Sequence, residues 1–222
     1  MIELMEAVWT PLLLSLRVAL VATAAAFTAG VLLAWLFAFY KNRWTSFLSI
    51  LVTLPLILPP TVLGYYLLVS IGRNSFIGRS YEQLTGGPLV FTWQAAVIAA
   101  AIAALPLLIR PIQAAFESVD IEYLGAAKLD GASSWQLLYY IIMPLAWRGI
   151  LAGLVLGFAR AMGEFGATLM VAGSIPGRTQ TLSLAIYDAV QGDRMAEANM
   201  MVLILSVTTI TILLLVHRRF SN

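Results

Sequence analysis

The sequence has no cysteine, a single histidine and few charged residues, and each shortage excludes a class of protein. Without cysteine there is no disulfide framework, no thiol chemistry and no cysteine-based metal site. Charged residues are only 11% of the 222 residues, whereas 61% are hydrophobic, so polar side chains are too few to cover a water-soluble globule. The net charge of +2 forms no cluster suited to nucleic acid. The composition predicts an integral membrane protein with no nucleic-acid partner.

Signatures of catalysis are also missing. A Gly-x-x-x-x-Gly-Lys-Ser/Thr phosphate loop is absent, and neither of the two lysines, Lys41 and Lys128, follows such a glycine pattern. We therefore expect no ATP binding or hydrolysis by this chain, no catalytic residue and no cofactor or metal on it. The histidine, His217, precedes Arg218 and Arg219 at the edge of an apolar run, which predicts an interfacial residue rather than a metal ligand.

Long uncharged runs predict the membrane spans. Each run is near or above the roughly 20 residues that a helix needs to cross the hydrocarbon, and none shows the alternation of a barrel strand. A fifth run is interrupted only by Arg160 and Glu164. We predict an all-α polytopic bundle of about five transmembrane helices, forming one domain over residues 1–222, with spans at 18–40, 44–72, 83–109, 149–172 and 198–216.

The distribution of positive residues predicts the orientation. With the N-terminus outside, seven Lys and Arg residues lie on the inner side and four on the outer side, which agrees with the positive-inside rule. Residues 1–10 carry no Lys or Arg, so we expect a retained helix rather than a secretory signal. The C-terminus and the segment 120–144 are then cytoplasmic. Loops at 73–87 and 173–197 face outward, and the short apolar stretch 182–187 within the second forms a helix too short to cross.

Prolines mark where the spans bend. Pro55, Pro59 and Pro60, followed by Gly64, interrupt the second span, and Pro106 interrupts the third. Each proline removes a helical hydrogen bond, and in lipid the freed carbonyl needs a partner or a water-lined cavity. Broken helices at depth favour the lining of a pathway, although tolerance of proline in tightly packed spans is an alternative interpretation.

Two ionisable residues lie within the fourth predicted span. Arg160 and Glu164 are four residues apart, so on a helix they share a face and can form an ion pair. One interpretation is a structural pair that fixes helix packing, because an unpaired charge in the membrane is costly. The other is a polar element beside a substrate path. The small residues of 163–168, including Gly166 and Thr168, favour the second because they let another helix approach closely.

The segment 120–144, called the docking segment below, is predicted to be helix, turn and helix on the membrane surface. Its two alanines keep one helical face narrow, the last glycine supplies a position where a positive φ costs little, and the proline precedes the next apolar run. We predict a docking surface for a soluble partner, comprising Gly125, Ala126, Ala127, Asp130, Gly131 and Pro144.

The docking segment resembles the cytoplasmic coupling loop of ABC importer permeases. The family pattern is Glu-Ala-Ala, three residues, Gly, nine residues, Ile, one residue, Leu-Pro. The spacing matches throughout, with Gly125 where the family usually has Glu and Met143 where it has Leu. Further stretches resemble the molybdate branch of these permeases and extend the similarity over nearly the whole chain, at 54–65, 72–78, 159–168 and 171–181.

The resemblance implies a type I ABC importer permease in the inner (plasma) membrane of a prokaryote. It implies a homodimer of this chain in membrane lipid, two cytoplasmic ABC ATPase subunits that carry ATP and Mg, and an external or periplasmic molybdate-binding protein. The substrate would be molybdate or tungstate. The candidate pathway residues are Pro59, Pro60, Gly64, Arg160, Glu164, Gly166 and Thr168.

Three other functions remain open at this point. A sulfate or thiosulfate ABC permease is the nearest alternative, because its motifs are close variants. A secondary transporter or channel would need several intramembrane carboxylates or inverted repeats, and only Glu164 lies deep in a span. A membrane-embedded enzyme would need a cluster of His or Asp within the spans, which the sequence lacks.

Overall fold

The protein is a bundle of helices joined by short turns. The computed structural model describes residues 2–220, with side chains described at 8–120, 122–215 and 218, so the predictions for His217 and Arg219 lie outside the described side chains. Within residues 2–220 every regular element is helical: α1 (Ile2–Phe39), α2 (Arg43–Ile57), α3 (Pro60–Ile71), α4 (Phe76–Thr85), α5 (Trp93–Glu117), α6 (Ile121–Leu129), α7 (Ser134–Leu137), a π-helical turn (Leu138–Ile142), α8 (Met143–Leu145), α9 (Trp147–Met162), α10 (Gly166–Ala172), α11 (Leu182–Gln191) and α12 (Met195–Phe220).

Three of the described helices are each long and apolar enough to cross a membrane by themselves. They comprise Val8–Phe39, Trp93–Glu117 and Met195–Leu215. Two further spans are possible if each of two bent helix pairs counts as one, and these pairs are Arg43–Ile57 with Pro60–Ile71 and Ser134–Leu145 with Trp147–Met162. The all-α prediction is confirmed, and the count of about five agrees with the upper figure.

Helices α1 and α5 run side by side in the same direction and form the spine of the bundle. In their first halves Ala19 packs into the same buried cluster as Ala96, and in their second halves Phe37 shares a cluster with Phe116. Lipid tails are as apolar as these side chains, so close van der Waals contact holds the two helices together. The first turns of α1 and of α5 therefore lie at the same end of the bundle.

Helix α9 packs against the spine through glycines spaced four apart. A Cβ added at Gly149 would lie 2.2 Å from Ala115 Cβ, and one at Gly153 would lie 2.5 Å from the carbonyl oxygen of Leu108. Gly157 continues the same face against Leu108. This repeat of small residues lets the two backbones approach closely, and the sequence analysis overlooked it.

Two details of the third predicted span were wrong. Helix α5 continues through Pro106, which is fully buried in the core, so this proline does not interrupt the span. A proline removes one hydrogen bond, and the packing of its neighbours can hold the remaining turns in place. The span also begins at Trp93 rather than at residue 83. Residues 76–85, which fall largely in the loop predicted at 73–87, form the separate helix α4. Ser75 caps that helix by accepting the Gly78 amide, and Gly86 ends it at φ +77°.

The second and fourth predicted spans are each divided into two helices. Helices α2 and α3 are bent by 119° relative to each other across residues 58–59, here called the 58–59 break, as predicted for Pro59 and Pro60. The same prediction for Pro55 was wrong, because α2 continues through this proline to Ile57. The prediction of one continuous helix over 149–172 was wrong. Helix α9 ends at Met162 and α10 begins at Gly166, and residues 163–165 between them are called the 163–165 break.

Candidate functional site

The first helix of the docking segment is defined by caps at both ends. Asp120 begins α6 by accepting the amide of Glu122 at 2.9 Å. At the other end Ala132 N–H donates to the Ala127 carbonyl at 2.9 Å, and Gly131 has φ +84°. This pair of features is a Schellman motif, in which a glycine takes the left-handed conformation and the free carbonyls of the last turn are satisfied. The prediction that Gly131 supplies a positive φ is confirmed.

The second half of the docking segment bends into α9. Ser133 and Gln136 form a capping box at the start of α7. The Met143 amide then donates to the Leu138 carbonyl five residues earlier, so the chain forms a π turn just before Pro144, which has no amide hydrogen to donate. The segment ending in α8 meets α9 at 79°. The predicted helix, turn and helix is therefore present.

The docking segment buries one face and exposes the other. Its leucines at 124, 137 and 138 pack against α1 and α5 in a buried cluster. Of the predicted docking residues Ala127 is half-buried and the other five are exposed, and a shallow cleft lies beside Asp130 and Gly131. Further large apolar side chains of the segment are exposed, and together with the predicted docking residues they form what we call the docking surface: Tyr123, Leu129, Tyr139, Tyr140 and Leu145. An apolar patch of this kind favours contact with a partner.

An aromatic contact that the sequence analysis missed joins the docking segment to α1. The rings of Trp35 and Trp135 stack with centroids 5.8 Å apart and planes inclined by 28°. Tyr40, just past the end of α1, packs edge-on against Trp35 at 5.5 Å. The two tryptophans are 100 positions apart in the chain, so no local sequence pattern pairs them.

The 163–165 break is built around a buried carboxylate. Glu164 is 3% exposed, and its Oε1 accepts the Ala167 amide at 2.8 Å, which satisfies a free amide at the start of α10. Its Oε2 lies 2.7 Å from Nη1 of Arg160, in the last turn of α9. This ion pair is the one contact that Oε2 makes among the described residues. The predicted ion pair is present, but it spans a helix end instead of one helix face.

The same break lies directly against the 58–59 break. A Cβ added at Gly166 would lie 2.6 Å from Cβ of Pro60, and one at Gly64 would lie 2.6 Å from Cβ of Met170. Helices α3 and α10 therefore pack backbone to backbone. Thr168 in α10 is buried at 1% exposure, whereas Pro59 is exposed. The structure thus brings the candidate pathway residues of two distant segments together.

The charge at this site is unevenly buried. The side chain of Glu164 is 2% exposed, whereas that of Arg160 is 26% exposed and reaches the surface of the chain beside the exposed Gly163. A carboxylate that is buried so deeply needs a counter-charge. A guanidinium has five N–H donors, so Arg160 can pair with Glu164 and still have donors for another group. The arrangement can therefore hold the fold and present hydrogen-bond donors to an anion at the same time.

A polar cluster near the predicted outer end was also missed. Ser174 and Gln180 both donate to Oδ2 of Asp188, which ties the loop 173–181 to α11. Ser15 of α1 accepts the Leu182 amide at 2.7 Å and so caps the start of α11 from a distant helix. Among the residues described, no group of three His, Asp or Glu side chains is placed to hold a metal ion.

Comparisons with known proteins agree over most of the chain. A family model described as "Binding-protein-dependent transport system inner membrane component" matches residues 26–219. The chain is 44% identical over 178 residues to the molybdenum transport system permease protein ModB of Haemophilus influenzae, covering 80% of this chain and 78% of that protein. It is 38% identical over 208 residues to ModB of Escherichia coli (strain K12), covering 93% and 91%.

A solved structure has a similar fold at low identity. The crystal structure of a bacterial alginate ABC transporter in complex with an alginate pentasaccharide-bound periplasmic protein matches with a TM-score of 0.74 at 17% identity. The match covers 96% of this chain and 79% of that chain. At this identity the similarity concerns the fold alone.

Proposed function

The chain belongs to the family of binding-protein-dependent transport system inner membrane components and has the predicted fold of the type I ABC importer permeases, and from this premise we propose that it is the membrane-spanning permease subunit of an ATP-driven molybdate importer. The observation that carries the substrate is the similarity, along most of both chains, to relatives named molybdenum transport system permeases. A sulfate permease or a secondary transporter is not favoured.

In this proposal ATP is hydrolysed on two separate cytoplasmic ABC ATPase subunits, which bring ATP and Mg. The docking surface, with Gly131 at its turn and Leu129 91% exposed beside it, is where each ATPase subunit binds. Its exposed apolar side chains support this role because such a patch is costly in water without a partner. Closure of the ATPase pair would move two docking segments together, which requires a homodimer of this chain.

An external or periplasmic molybdate-binding protein delivers the substrate in this proposal. The fold similarity to a transporter solved with its periplasmic protein supports a partner of this class. The parallel packing of α1 and α5 supports the orientation. Since α5 leads into the docking segment, the opposite end of α1 faces outward if the docking segment is cytoplasmic. The N-terminus is then outside, and we place the C-terminus in the cytoplasm because Arg218 and Arg219 follow the last apolar run.

The pathway in this proposal follows the two helix breaks where they meet. Pro59 and Pro60 are exposed beside it, whereas Gly64, Gly166 and Thr168 are buried and, in this proposal, support it through the close packing of α3 against α10. Arg160 contributes guanidinium donors, which suit a tetrahedral oxyanion, and Glu164 keeps the net charge of the pair near zero so that the anion is not held tightly. Weak binding in the membrane is sufficient because the binding protein supplies affinity.

Uptake measurements test the function. The chain is expressed with its ATPase and binding protein in a strain that lacks its own molybdate permease, and labelled molybdate is followed with sulfate or tungstate as competitor. We expect ATP-dependent uptake that excess sulfate leaves largely intact. Uptake that sulfate abolishes would instead identify a sulfate permease, and accumulation independent of ATP would identify a secondary transporter.

Cysteine labelling tests the orientation. The sequence has no cysteine, so Asn74→Cys, in the loop between α3 and α4 that is predicted to face outward, and Ser134→Cys each add a single reactive site at an exposed position. An impermeant thiol reagent is expected to label the first in intact cells and the second only after the membrane is opened. The reverse pattern would refute both the orientation and the cytoplasmic docking surface.

A further inference from the structure

The Trp35–Trp135 stack lies where the docking segment meets the membrane bundle. Trp135 belongs to α7 and Trp35 to the second-last turn of α1, and their ring planes are nearly parallel. Tyr40 supports the far edge of Trp35 at an angle of 80°. The three rings form a short aromatic column between the docking surface and the end of α1.

Packing around this column is incomplete. A hollow of about 220 Å³ separates α1 from α6 and α7 beside the stack, and its walls include Trp35, Tyr40, Leu124, Lys128, Ser134 and Leu137. Trp135 itself is 57% exposed. Trp135 therefore contributes little burial to the fold, whereas Trp35 is half-buried against the cluster that contains Leu137 and Leu138. The stacked rings join α1 to α7 beside the hollow, where other side chains leave space unfilled.

Helix α1 connects this column to the far end of the bundle. It is continuous from residue 2 to residue 39, and a rise of about 1.5 Å per residue makes it roughly 55 Å long. In its first half Ser15 accepts the Leu182 amide at the start of α11, and Leu182 itself belongs to a buried cluster. Helix α1 therefore contacts both the aromatic column and α11.

We propose that Trp35 and Trp135 are positioning residues for coupling: the stack sets the position of the end of α1 relative to the docking surface, so a displacement of α7 by a docked ATPase passes to α1 and along it to α11. This inference rests on the proposed function, since it needs an ATPase on the docking surface. A packed helix transmits such a displacement because it shifts as a unit between discrete arrangements.

The test compares tryptophan variants in proteoliposomes that contain the permease, its ATPase and the binding protein. Trp35→Ala and Trp135→Ala remove one ring each, the double variant removes both, and Trp135→Phe keeps a ring in the stack. Trp44→Ala is the matched control, since Trp44 lies at the start of α2, four residues after Tyr40, is 82% exposed and forms no ring contact among the described residues. Membrane level, ATPase retention and molybdate imported per ATP hydrolysed are measured for each.

We expect both single alanine variants to retain the ATPase and to import at least threefold less molybdate per ATP than the control. The double variant should be no worse than either single variant, because both act through one contact. Trp135→Phe should recover most of the loss. A merely structural role would lower the membrane level and leave the ratio unchanged.

Two results would overturn the inference while the proposed function stands. One is a ratio of import to hydrolysis in both alanine variants equal to that of Trp44→Ala. The other is loss of ATPase retention in Trp135→Ala with a normal Trp35→Ala, which would make Trp135 a direct contact of the partner. A wild-type chain that retains no ATPase and shows no ATP-dependent uptake would instead refute the proposed function.

Discussion

The two helix breaks that meet in the core are built in different ways. At the 58–59 break the backbone itself ends the helix, because Leu58 precedes Pro59 and is driven to the extended conformation seen there, with ψ 142°. At the 163–165 break there is no proline. The helix ends at Gly163, and Glu164 holds the next helix by accepting the Ala167 amide while paired with Arg160.

This difference separates a local cause from a tertiary one. The proline break has a local cause, since each of the two adjacent prolines disfavours the helical conformation in the residue before it. The 163–165 break needs a buried carboxylate, and that carboxylate is tolerated only because Arg160 lies 2.7 Å away. The two breaks also depend on each other, because Pro60 occupies the space that any side chain at position 166 would need.

The largest effect is expected from breaking the ion pair on its arginine side. Arg160→Gln leaves the carboxylate of Glu164, 2% exposed, without a counter-charge, and should lower the free energy of unfolding by about 3–5 kcal/mol. Glu164→Gln should cost less, because Gln still offers an oxygen to Ala167 and Arg160 is partly exposed. Unfolding in detergent measures both, and equal or reversed losses would contradict the tertiary explanation of this break.

The double variant Arg160→Gln, Glu164→Gln then separates the two roles of the pair. It should be more stable than Arg160→Gln alone, since no unpaired charge remains. If Arg160 attracts the oxyanion, this variant is folded and retains its ATPase but imports molybdate poorly. Full uptake by the well-folded double variant would leave a structural role only.

A somewhat smaller effect is expected where the two breaks touch. In Gly166→Ala the new Cβ would lie 2.6 Å from Pro60 Cβ, so α3 and α10 must separate, at a cost of about 1–3 kcal/mol. Gly163→Ala is the matched control in the same break, because the atom nearest to its Cβ is 3.6 Å away. The amount of folded protein in the membrane is the measurement. Equal levels of the two variants would show that the breaks do not depend on each other.

The end of α6 at Gly131 depends on neither a proline nor a buried side chain, so it offers a third kind of helix end to test. Gly131→Ala forces a side chain into φ +84° and should cost about 1–2 kcal/mol, whereas Gly125→Ala should cost nothing, although both glycines are exposed and have no atom within 4 Å of an added Cβ. Hydrogen exchange at residues 130–132 and ATPase retention report the difference. Gly131→Val should abolish transport while the protein still inserts, and normal uptake by it would refute the predicted docking role.

Substitution of Pro59 or Pro60 is expected to give the smallest change in the free energy of unfolding, together with a clear change in the angle between α2 and α3. Pro59→Ala and Pro60→Ala should each cost about 0.4–1 kcal/mol by giving the unfolded chain more freedom. In the double variant, spin labels at the exposed Ile50 and Tyr66 should show a broader distribution reaching longer distances, as the 119° bend relaxes. An unchanged distribution would mean that tertiary contacts also hold this bend.

Several features were determined by sequence alone, because their causes are local. The apolar runs determined a helical membrane protein, the adjacent prolines at 59 and 60 determined a bend, and Gly131 determined a left-handed turn. Each of these depends on the conformational limits of one or two residues or on the length of an uncharged run.

Tertiary structure decided the rest, because the causes lie far apart in the chain. Pro106 predicted a break that packing prevents, and residues 149–172 predicted a continuous helix that the buried Glu164 divides. The Trp35–Trp135 stack and the contact of Pro60 with Gly166 join residues about 100 positions apart. Such contacts follow from which helix faces meet, and that choice belongs to the packed bundle as a whole and to no single stretch of residues.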